Sequence, residues 1–181
     1  MDKALEHAII YRDVKHPRLE YKTGTLQIIL PKGYSNPEQI LQKYQKWIQR
    51  KQKAINQALQ EAETKTIIHD RTEEQLKTLV DTLVQACQKE LNTTINKVFY
   101  RRMKTKWASH SSNSNLTINT LTKYLPNDLI EYILYHETAH NIERKHNENF
   151  WRLIAKKFPD YQNKEKSLLT YWFLTQRLQT R

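Results

Sequence analysis

Residues 136 to 146 read His-Glu-Thr-Ala-His-Asn-Ile-Glu-Arg-Lys-His, and no other stretch of the chain narrows the choice of folds as far. Side chains four apart on an α-helix stack on one face, so His136 and His140 would project together and could share one metal ion. Glu137 lies roughly 100° around the helix from His136, too far to join the imidazoles on the ion but able to reach a water bound there. Two neutral imidazoles beside a carboxylate general base are the division of labour of a zinc hydrolase. Leu129, Ile133, His136 and His140 fall on one stripe at i, i+4, i+7 and i+11, with Ile130 and Leu134 alongside. A core-facing stripe ending in two imidazoles is what a buried site needs. The plain alternative is a pair of hydrogen-bonded core histidines, which a glutamate between them at this spacing makes the weaker reading.

A third ligand is expected from His146. On a straight helix it would stand about 9 Å beyond His140 and well round the side, out of reach of the same ion. The chain must therefore bend. The sequence predicts that the helix stops between Asn141 and Lys145, and that Asn147 caps a new helix carrying Phe150, Trp151, Ile154 and Ala155. Without that bend His146 is a solvated loop histidine. With it, three protein ligands leave a fourth position open for water, as in a catalytic rather than a structural zinc site.

Ahead of this stretch, residues from about Leu5 to Leu30 read as a small β-meander. Ile9, Ile10 and Tyr11, then Leu19 and Tyr21, then Leu26, Ile28 and Leu30 supply its strands, and Lys22-Thr23-Gly24 a tight turn. Asn36-Pro37-Glu38 starts a long helix whose apolar face runs from Ile40 to Leu59. Glu63 to Asp70 reads as a connector. Thr72-Glu73-Glu74-Gln75 is a capping box for a second long helix, with Leu76, Leu79, Val80, Leu83, Val84, Cys87 and Leu91 inward. Lys97 to Met103 and Leu116 to Asn119 have strand character, and the polar, turn-prone run Lys106 to Asn115 lies between them. Pro126-Asn127-Asp128 opens the metal helix. A last helix from about Lys164 offers Leu168, Leu169, Trp172, Phe173 and Leu178 for packing.

At 181 residues the chain fits one domain with a real core. Two Gly and five Pro argue against long linkers. No apolar run approaches a membrane span of about 18 residues, and Met1 to Tyr11 lacks the marks of a signal peptide. The single cysteine, Cys87, falls on an apolar helix face and reads as a small core residue, which suits a reducing cytoplasm. The net charge of +11 admits nucleic acid as a partner, but basic residues spread along the chain rather than gathered in one run favour a solvated basic surface.

Lys104-Thr105-Lys106-Trp107-Ala108-Ser109, Leu116-Thr117-Ile118-Asn119, His136-Glu137-Thr138-Ala139-His140, His146 with Phe150-Trp151, and Pro159-Asp160-Tyr161 together resemble the YgjP-like metallopeptidase domain, related to the SprT-like zincins. The likeness runs from about Ile9 to Tyr161. It implies an α+β zincin-like fold in a single domain: an N-terminal meander and helix over 1–62, a catalytic part over about 72–161, and a C-terminal helix over 164–179. It implies zinc held by His136, His140 and His146, with Glu137 as general base. Trp107, Ala108, Ser109 and His110 stand where the family usually shows Trp-Gly-Ser-Cys or a similar run. Ala108 restricts the backbone there, and His110 could face the metal, stabilise an oxyanion or sit in a loop. The strand ending near Trp107 to His110 could hold an extended peptide or unfolded protein by strand addition. Glu143 stands where metzincins need Gly. Two other functions stay open: a basic, nucleic-acid-associated zincin module acting on DNA-bound proteins, as SprT-like relatives do, and an inactive zincin serving as an interaction domain.

Overall fold

The structure, a computed structural model, describes residues 7–22, 25–68 and 70–177, and the chain forms two compact units, one up to Gln57 and one from Ala58 on. Leu5, the turn residues Thr23 and Gly24, and Leu178 lie outside the described residues.

In the first unit the strands are β1 (His7–Arg12), β2 (Arg18–Lys22) and β3 (Thr25–Pro31). All three strand segments expected there are present, but their order is β1-β3-β2, with β1 parallel to β3 and β2 antiparallel to it. A meander would have put β2 in the middle. The composition of β3 explains the difference: Leu26, Ile28, Ile29 and Leu30 are fully buried, and the most apolar strand takes the place where both edges are paired. Helix α1 (Pro37–Lys43) starts as expected, with the Asn36 side chain accepting from the Gln39 N–H at 3.2 Å. It is not one long helix, however. Tyr44 leaves helical geometry (φ −106°, ψ 13°), and α2 (Gln45–Thr64) begins directly after it. Leu26, Ile28, Leu30, Ile40 and Ile48 form this unit's core, with Leu19 and Trp47 against it.

The second unit carries the stretch from His136 to His146. Helix α3 (Glu73–Leu91) opens on the complete Thr72/Gln75 capping box and buries Leu76, Val80, Val84, Cys87 and Leu91. Burial pushes the Cys87 thiol up to about 12, so at neutral pH it is a packed hydrophobe and not a nucleophile. A second small sheet follows, of β4 (Lys97–Arg101), β5 (Ala108–His110) and β6 (Asn115–Asn119). Its order is β4-β6-β5, with β4 parallel and β5 antiparallel to β6. The polar run between the two expected strands thus contains a third one, β5, at the edge of the sheet. Its side chains include only one small apolar residue, so no alternating pattern announces it.

Helix α4 (Asn127–Ala139) is apolar on nearly all sides, with Leu129, Ile130, Tyr132, Ile133, Leu134, Tyr135 and Ala139 buried, as a helix surrounded by other elements must be. Arg71 ties its entrance to the connector ahead of α3, donating to the carbonyls of Lys123 and Leu125 at 3.0 and 2.6 Å. Helix α5 (Glu148–Lys157) and α6 (Tyr161–Arg177) complete the unit; α6 begins three residues before the expected start. Lys157 of α5 reaches Glu90 of α3 and Glu131 of α4 at 2.5 and 3.1 Å, joining the three helices at one point. No described helix is long and apolar enough to cross a membrane. The α+β class read from the sequence holds.

Candidate metal centre

The bend that the histidine spacing requires is present. Helix α4 ends at Ala139 with His140 as its cap, slightly ahead of the expected stop. The chain then tightens, with Asn141 N–H bonded to the Thr138 carbonyl at 3.1 Å and Ile142 N–H to that of Ala139 at 2.9 Å. Among the described residues only Gly33, Asn92 and Ser114 have positive φ. The turn therefore needs no left-handed residue, which is why Glu143 is tolerated where a glycine-dependent bend would exclude it. The Glu143 side chain accepts from the Lys145 N–H at 3.2 Å, and Asn147 caps α5 by accepting from the Phe150 N–H at 3.0 Å. Both bonds hold His146 back toward the helix.

The result is a cluster of three imidazoles whose ligand atoms all lie within 4.8 Å of one another. The Nε2 atoms of His136 and His146 are 2.9 Å apart. Ring centres are separated by 5.3 Å for His136 and His140, 4.9 Å for His136 and His146, and 4.8 Å for His140 and His146. Imidazoles sharing one ion through bonds of about 2.0–2.1 Å stand with ring centres about 5 Å apart, so the cluster fits a zinc ion. The electrostatics agree. Burial, then the neighbouring His146 and His140, bring His136 down to about 3, and burial lowers His146 as well, so both rings present neutral lone pairs. Phe150 stacks on His140 and Trp151 on His146, which holds the two rings in place.

Partners on the far side of two rings set which nitrogen is offered. His140 Nδ1 lies 3.0 Å from the Glu143 carbonyl, which leaves Nε2 for an ion. His136 Nδ1 is buried without a hydrogen bond, 3.8 Å from Oε1 of Glu165, whose carboxylate accepts from the Tyr132 hydroxyl. Glu165 comes from α6, and nothing in the sequence near the histidines points to it.

Glu137 is half-buried beside the cluster, and desolvation pushes its carboxyl up to about 7 despite the nearby Lys106 ammonium. The backbone N–H of His110 donates to it. That bond follows from the sheet register. Residues 107, 109 and 111 face β6, as in the bonds from Asn119 N–H to the Trp107 carbonyl and from Ser111 N–H to the Asn115 carbonyl. The main-chain groups of Ala108 and His110 accordingly turn away from β6.

A cleft of about 700 Å³ runs along β5 and α4, lined among others by Lys106, Trp107, Ser109, His110, Arg144 and the three histidines. The structure brings all four residues read as a substrate-facing run to this wall, but in different ways. Trp107 is an anchor: its indole N–H donates to the Leu168 carbonyl at 3.2 Å and its ring meets Trp172 edge-on. The Ala108 side chain is buried in the core, and its backbone is ordinary strand, so no glycine is needed. Ser109 pairs with Thr117. His110 hydrogen-bonds the Asn141 side chain, which is itself held by Ser114 Oγ at 2.8 Å and the Thr94 carbonyl at 3.0 Å. Its Nε2 is buried with no partner, 6.4 Å separating its ring centre from that of His140.

A model of the family described as YgjP-like, metallopeptidase domain, matches residues 53–171. Among solved structures, the metallopeptidase zymogen abylysin of Pyrococcus abyssi is 28% identical with a TM-score of 0.43, over 48% of this chain and 87% of that one. The metallopeptidase zymogen jannalysin of Methanocaldococcus jannaschii is 25% identical with a TM-score of 0.43, over 49% of this chain and 90% of that one. The curated proteins give no significant match.

Proposed function

Since the chain belongs to the YgjP-like metallopeptidase domain family, we propose that it hydrolyses peptide bonds of extended or unfolded polypeptides, using zinc held by His136, His140 and His146 and Glu137 as general base. The observation that carries this reading is the convergence of three imidazoles on one point, with a half-buried carboxylate on the same helix beside them. When bound there, zinc supplies acidification of a coordinated water to a pKa of about 7 and polarisation of a substrate carbonyl.

The chain's own residues do the rest. Glu137, held by the His110 N–H, takes a proton at its carboxylate and returns it to the leaving amine. Glu143 fixes the tautomer of His140 through its main-chain carbonyl, and Glu165 stands ready for the outer nitrogen of His136. The outer edge of β5, where the Ala108 main-chain groups turn away from β6, suits an extended peptide laid antiparallel or parallel to it along the cleft. His110, anchored by Asn141, stands in the cleft wall beside His140.

The test is cleavage of an unfolded protein such as reduced casein, before and after chelation. Activity is expected to disappear with the metal and to return on addition of one equivalent of zinc per chain. Cleavage that is indifferent to the chelator, or absent from protein with its full complement of zinc, would overturn the proposal.

A further inference from the structure

The basic charge of the chain is not evenly spread. Between Glu90 and Asp128 there is no acidic residue, while Lys97, Arg101, Arg102, Lys104, Lys106 and Lys123 supply six cations, more than half of the net +11. That segment is the β4-β6-β5 sheet and its connections. Strand alternation sorts the residues of β4 cleanly. Val98 and Tyr100 are half-buried and turn inward, and Lys97, Phe99 and Arg101 are exposed on the other face.

Phe99 is the unusual member of that outer face. It is 48% exposed, a large apolar ring in the middle of a strand with a cation two residues away on either side. The register places it level with Thr117 of β6 and Ser109 of β5, so its neighbours across the sheet are small and polar and leave its ring uncovered. Among the described residues, none of Lys97, Arg101, Arg102 and Lys104 has an ion-pair partner. A solvated face has no need of an uncovered ring, and an apolar protein interface has no need of unpaired cations around it. Exposed aromatic rings flanked by cations on a sheet surface are what single-stranded nucleic acid requires, bases stacking on the ring and phosphates meeting the cations.

We propose that the outer face of the β4-β6-β5 sheet binds single-stranded nucleic acid, with Phe99 as the stacking platform, Lys97 and Arg101 beside it on the strand as the phosphate contacts, and the exposed Arg102 and Lys104 just past the end of the strand as further cations. This face is opposite the one that packs on the helices, and the proposal stands or falls independently of peptide hydrolysis.

Fluorescence anisotropy of the full chain with labelled oligouridylate and oligothymidylate tests it. Binding is expected at low salt and should weaken as salt rises, with a log–log slope of about −0.7 for each phosphate neutralised. Phe99→Ala should weaken binding about tenfold at every salt concentration with the slope unchanged, and Phe99→Trp should keep it. Lys97→Ala combined with Arg101→Ala should make the slope shallower by about 1.4. Circular dichroism on each variant separates loss of binding from loss of fold, and retention by Phe99→Trp provides the same control in a folded protein. No binding at low salt would overturn the proposal. So would equal affinity for a duplex or for polyglutamate, or affinity indifferent to Phe99→Ala, since each describes a general polyanion surface without stacking.

Discussion

Replacing Glu137 by Gln is expected to lower kcat/KM for an unfolded-protein substrate by about 10²- to 10⁴-fold, the range for loss of a general base, while one zinc per chain remains bound. The amide has the shape of the carboxylate, so its Oε1 can still accept from the His110 N–H and the β5–α4 junction is kept. It cannot take a proton. Desolvation already disfavours its charged form, so removing the charge should leave the melting temperature no lower. Activity near the wild-type level with zinc present would mean that another group moves the proton. Loss of zinc together with activity would mean that Glu137 acts through the metal cluster and not on the water.

Replacing His146 by Ala is expected to weaken zinc binding at least about 10²-fold and to abolish cleavage, with little effect on stability. His146 is exposed on the turn between α4 and α5, so its loss opens no cavity in the core. Removing one of three ligands should cost more than removing an outer partner, typically 10- to 100-fold. Glu165→Ala, which removes the carboxylate 3.8 Å from His136 Nδ1, provides that comparison and is expected to fall in the smaller range. Isothermal titration of the metal-free proteins with zinc measures both. If Glu165→Ala were the more damaging change, the third ligand would be the carboxylate of α6 and not His146.

The part of the centre that could be read from the chain is the part written locally. The i, i+4 spacing of His136 and His140, the need for a bend before His146, and the Asn147 cap are all contained within a dozen residues, and each has a geometric consequence that follows from helix dimensions alone. The capping box at Thr72 is legible for the same reason. What depends on distant partners was not legible. Strand β5 is three residues long and polar, and only its pairing with β6 makes it a strand. The N-terminal strands were recognisable singly, but β3 took the centre of its sheet because of competition among all three, which no one segment records. The break at Tyr44 lies within an unbroken apolar pattern. Glu165, beside His136 but arriving from α6, belongs to neither motif nor period. The even reading of the basic charge also missed its concentration between Glu90 and Asp128, which becomes meaningful only once those residues are known to share a sheet.

X-ray absorption at the zinc edge, on the 181-residue chain loaded with one equivalent, reads the coordination shell itself. Three imidazole nitrogens at about 2.0–2.1 Å and one further oxygen from solvent are the expected result. A shell of two imidazoles, or one filled entirely by protein groups with no solvent oxygen, would contradict the account.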